Sequence, residues 1–189
     1  MAATYLKREW LDTLREIQTK WGGDLSRSND ENLKMRGITQ YSSLTTQISN
    51  RKIYLSREPV NYDIPLLEIV FWLNTKIELV LTREGIHDKF LKMLGLDYEI
   101  SLPDKNAETI AFNGKFLIKG TPQESISRFL CDYRSQELVN KLGDFVSLRI
   151  NSGKLIIIYD IDFPEIIRSD RVIDTINNAI NFIDALERH

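Results

Sequence analysis

Apolar side chains in this chain recur with two different periods, and the order in which the two alternate constrains the fold more than any single motif does. Leu6, Trp10, Leu14, Ile17 and Trp21 are spaced four, four, three and four apart, one stripe of an amphipathic helix expected over 4–21 and stopped by Gly22-Gly23. The polar stretch 24–34 reads as an exposed loop. Mixed strands and helices are expected over 38–163. Segments 38–48 and 52–55 have strand-like composition. Leu66 to Leu73 and Ile77 to Thr82 read as an antiparallel hairpin about Asn74-Thr75, because consecutive apolar residues from Ile69 to Leu73 would surround a helix on every side.

Helical spacing returns over 86–94, with Gly95 as its stop. Asn113-Gly114 fits either a two-residue hairpin turn or a bulge in one strand. Thr121-Pro122-Gln123-Glu124 has the form of a capping box, which predicts a helix with Ile126, Phe129, Leu130 and Tyr133 on its core face, continuing through Leu138, Val139 and Leu142 to Gly143. Period two over 145–161, broken by Asn151-Ser152-Gly153, predicts a hairpin. Val172, Ile176, Ala179, Ile180, Ile183 and Leu186 predict a C-terminal helix over 170–187 behind a Ser169/Asp170 cap. The sum is an α+β fold, antiparallel sheet covered by amphipathic helices, two layers in a single compact domain.

Composition bounds the function classes. With 25 Lys+Arg against 27 Asp+Glu, dispersed along 189 residues, the chain lacks the basic footprint of a nucleic-acid binder. Its 42% hydrophobic content is enough for a core without metal or disulfide staples. A lone thiol, Cys131, suits a reducing compartment, and charge at Lys7-Arg8 precedes any apolar run of signal length, so a cytoplasmic location is expected. The most apolar window, 64–82, is interrupted by Glu68, Lys76 and Glu78 and reads as sheet, not as a membrane span. Lipid-surface binding through the last helix is disfavoured by Asp170, Asp174, Asp184 and Glu187 on its polar face.

From Ile77 onward the chain resembles a group of uncharacterised bacterial proteins. The likeness rests on Glu78-Leu79-Val80-Leu81, on the segment 90–95, on Phe112-Asn113 with Phe116 to Gly120, and on Ser152 to Leu155, and spans about 110 positions. It implies a fold and assigns no catalytic residue.

Candidate chemistry is sparse. Asp160, Asp162 and Glu165 gather three carboxylates where a strand ends, an oxygen-only set of the kind that holds Mg²⁺ or Ca²⁺, with Lys154 or Arg168 as basic neighbours should it serve a hydrolase or transferase. An exposed polar strand face is the plainer account. Any Cys-His machinery would have to be Cys131 with His87, but Cys131 falls in a helix expected to pack on the sheet. Nucleophile-elbow, Walker and dinucleotide-binding motifs are missing from the sequence. Trp10 and Trp21 fall on the first apolar stripe, and Tyr41, Tyr54 and Tyr62 interleave with Arg51, Lys52 and Arg57 too sparsely for a base-stacking platform. The residues therefore favour a non-enzymatic module without cofactor that binds another protein or itself.

Overall fold

The computed structural model describes residues 2–28, 41–59, 65–83, 99–103, 106–160 and 167–189. Its backbone gathers into two compact units, Met1–Trp72 with Ile158–Ile176, and Leu73–Ile157 with Asn177–His189.

In the first unit the expected stripe forms α1 (Ala2–Trp21), and Trp10, Leu14 and Ile17 are buried. Four consecutive antiparallel strands follow in the order β1-β2-β3-β4: β1 (Asp24–Ser28), β2 (Tyr41–Ile48), β3 (Arg51–Pro59) and β4 (Pro65–Trp72). Register places Leu44, Leu55 and Ile69 in one row, all buried on one face, each worth roughly 1.5–3 kcal/mol of transfer free energy. α1 is fastened to β2 by the Trp10 indole N–H, which donates to the Ser42 carbonyl at 3.0 Å. Ser49 (φ 50) and Asn50 (φ 62) form the two-residue left-handed turn whose twist suits a β2–β3 hairpin.

The expected loop 24–34 needs correction at its start. Residues 24–28 are β1, paired from Asp24↔Thr45 to Ser28↔Tyr41. A polar segment makes a good edge strand because backbone pairing, not side-chain burial, holds it; residues 29–34 lie outside the described residues.

The second unit contains β5 (Glu78–Arg83), α2 (Ala107–Asn113), β6 (Phe116–Thr121), α3 (Gln123–Leu130), α4 (Tyr133–Lys141) and β7 (Phe145–Asn151). It also holds the first part of β8 (Lys154–Asp160) and the second half of α5 (Ser169–Glu187). Strand order is β8-β7-β5-β6, with β5 antiparallel to both β6 and β7. Leu79, Leu81, Ile118, Leu148 and Ile150 bury one face. Against the helices the core is aromatic, with Phe129 of α3 edge-on to Phe182 of α5 at 5.6 Å. Gly120 is where α3 and β5 close on β6: a Cβ there would stand 2.1 Å from the Glu78 carbonyl oxygen and 2.6 Å from Ile126 Cδ1. Ser152 (φ 50) and Gly153 (φ 70) make the expected β7–β8 turn.

The antiparallel α+β class is the one read from the periods, but several local expectations are overturned. Leu66–Leu73 and Ile77–Thr82 are not a hairpin: β4 pairs with β3, and both edges of β5 are taken by β6 and β7. Asn113-Gly114 is neither hairpin turn nor bulge. It is the end of α2, with Gly114 at φ −73, and the Asn113 amide is spent on Leu102, donating to its carbonyl and accepting from its N–H. The expected capping box does not form: the helix starts one residue later, Thr121 completes β6, and Pro122 occupies the N-cap without a side-chain bond. Tyr133 leaves the core face: a break at Cys131-Asp132 restarts the helix as α4 with a new phase, capped by Asp132 accepting from the Arg134 N–H, and Tyr133 points outward, 58% exposed. The helix expected over 86–94 lies outside the described residues.

Candidate interaction surfaces

Of the proposed carboxylate set, Asp160 is the half-buried last residue of β8, while Asp162 and Glu165 lie outside the described residues. Among the described residues no group of three His, Cys, Asp or Glu side chains is placed to hold a metal ion. Neither expected basic neighbour is shown serving Asp160: Lys154 sits at the opposite end of β8, and the Arg168 guanidinium forks onto Asp170, Nε and Nη2 each donating at 3.2 Å. Cys131 is a free, half-buried thiol at the end of α3, and His87 lies outside the described residues. The aromatic-basic run of β3 is divided by strand alternation, Lys52 and Tyr54 falling on one face and Arg51 and Arg57 on the other. Lys52 Nζ stands 4.8 Å from the Trp72 ring centroid, and burial pushes the half-buried Arg57 guanidinium below its ordinary value. Tyr62 lies outside the described residues.

A groove of about 480 Å³ opens in the first unit between α1 and the start of α5. α1 presents Glu9, Asp12 and Glu16 at helical spacing, and α5 presents Asp170 beside Arg168. Some of these groups are paired, whereas the buried Glu9 Oε2 has no hydrogen-bond partner among the described residues. Thr13 donates its hydroxyl to the Ile167 carbonyl at 2.5 Å, and Arg15 pairs with Asp12 at 3.2 Å. Desolvation pushes the Asp170 carboxyl up, but hydrogen bonds from the Arg171 backbone N–H and from Arg168, with the Arg168 charge, bring it below its ordinary value. The groove is an acidic seam in which the Thr13 hydroxyl ties α1 to Ile167, just ahead of α5.

The second unit carries a surface of different character. Two hydrogen bonds join α2 and its end to α4: the Gln136 amide donates to the Thr109 hydroxyl at 3.3 Å, and Lys115 Nζ, just past the end of α2, donates to Asn140 Oδ1 at 2.7 Å. These two helices carry Ile110, 55% exposed, and Tyr133, 58% exposed, the large apolar side chains that stand out to solvent among the described residues. Ala107, Ile110 and Ala111, all exposed, fall at i, i+3 and i+4 and give α2 an outward apolar stripe. α2 thus has two apolar sides, one sealed by Thr109 and Phe112 in the core and one left open.

Charge frames this stripe. The Lys115 ammonium is held below its ordinary value by desolvation and by the Arg83 guanidinium, against the opposing pull of Asp144. Arg83 Nη2 is spent on Asp144 and on the Gly143 carbonyl. Lys115 also lies 5.1 Å from the Phe116 ring centroid. Sequence reasoning missed this surface, although Asn106 followed by Ala107-Glu108 is an N-cap signal that could have found α2; the Asn106 side chain accepts from the Thr109 N–H at 2.8 Å.

Two buried hydroxyls in the same unit are unusual. Thr82 (3% exposed) and Ser147 (fully buried) are partners across β5 and β7, and neither hydroxyl has a hydrogen-bond partner among the described residues. Tyr159, by contrast, is bonded to Thr175, and burial pushes its phenol well up.

No protein-family model matches the chain, and no curated protein does. Among solved structures it is similar to the crystal structure of the mycobacterial trehalose monomycolate transport factor A, TtfA, at TM-score 0.63 and 12% identity over 96% of this chain and 94% of that one. Among the described residues no helix is long and apolar enough to cross a membrane. What these findings establish is a fold: an antiparallel α+β architecture shared with a transport factor at a sequence identity too low to carry a role with it.

Proposed function

We propose that this chain is a protein-interaction module of adaptor type, acting in the cytoplasm without chemistry of its own and docking a partner through the α2–α4 surface. One observation carries the reading: Ile110 and Tyr133 are each more than half exposed on adjacent helices, while Phe112, Ile126, Phe129, Leu130 and Val139 of α2, α3 and α4 are buried and Leu138 is half-buried. Leaving an isoleucine in water forgoes roughly 1.5–3 kcal/mol of burial, which a docked partner would recover. The first-unit groove supports catalysis less well, since its Arg168 and Asp170 are committed to each other.

A photoreactive residue placed at Ile110, and separately at Tyr133, tests the reading in cells. The expected result is one discrete cross-linked protein species from both positions and none from a probe at Glu16 in the groove. A uniform smear from all three positions, or no product, would contradict it. Should the chain instead be a metal-dependent hydrolase built on Asp160, Asp162 and Glu165, millimolar Mg²⁺ or Ca²⁺ would raise the thermal midpoint, as any ligand of the native state does.

A further inference from the structure

No further inference is drawn: the strongest candidate, the acidic groove between α1 and the start of α5, carries nothing, because it is a cluster of carboxylates in which Asp12 and Asp170 are already paired with Arg15 and Arg168, Glu9 is no more than half-buried, and nothing in the structure shows what would occupy it.

Discussion

The two candidate surfaces solve the same problem in opposite ways. Between α1 and the start of α5 the sequence places polar groups, and the structure uses several of them internally, Thr13 on the Ile167 carbonyl and Arg168 on Asp170, while Glu9 Oε2 is buried without a hydrogen-bond partner among the described residues. Along α2 and α4 the seam is closed by one amide and one ammonium, and what faces outward beside it is apolar. A polar group satisfied by its neighbours has little left to offer a partner, whereas an exposed apolar side chain has its burial energy still to gain. The more chemically decorated surface is therefore the weaker site.

That contrast can be broken by substitution. The largest effect is expected in the core of the second unit: Phe129→Ala, which removes the ring packed against Phe182, should cost about 3–5 kcal/mol in thermal or denaturant unfolding. Gly120→Ala should cost about 2 kcal/mol or more, since its Cβ would press on the Glu78 carbonyl. A smaller change of opposite sign is expected at the unpartnered hydroxyls. Thr82→Val and Ser147→Ala should leave stability unchanged or raise it by about 1 kcal/mol each, and a loss of 2 kcal/mol in either would show that these hydroxyls are satisfied after all.

The smallest effect concerns the groove. Because Asp170 titrates below its ordinary value in the folded chain, the stability it lends is present above the unfolded carboxylate value of 3.8 and is lost as pH falls through the folded one. Arg168→Ala should move the Asp170 carboxyl back up, read by NMR titration, with little change in melting temperature because the pair is exposed.

The same contrast explains how much could be read from the sequence. Stripes with a long, unbroken period were legible: Trp10, Leu14 and Ile17 in α1, and Val172, Ile176, Ala179 and Ile183 in α5, are buried as their spacing requires. The Asn151-Ser152-Gly153 turn was legible because two left-handed residues in succession demand such side chains. Pairing partners were not, because alternation states that a segment is a strand and not which strand it lies beside; β4 and β5, neighbours in sequence, pair with others. Tyr133 was misplaced because the Cys131-Asp132 break resets helical phase, and a single-residue slip turns a core position outward. The α2–α4 surface was illegible for a related reason: Ile110 looks like any core isoleucine until the packing shows which side of α2 is already filled.

The central claim is that Ile110 and Tyr133 are exposed for a partner and do nothing for the fold. Its most direct test places the photoreactive residue at the exposed Ala111 and adds Ile110→Ser with Tyr133→Ser. The account expects a melting temperature unchanged within the equivalent of about 0.5 kcal/mol and loss of the cross-linked product. A melting temperature lowered by several degrees with the product retained would place both side chains in the fold and contradict it.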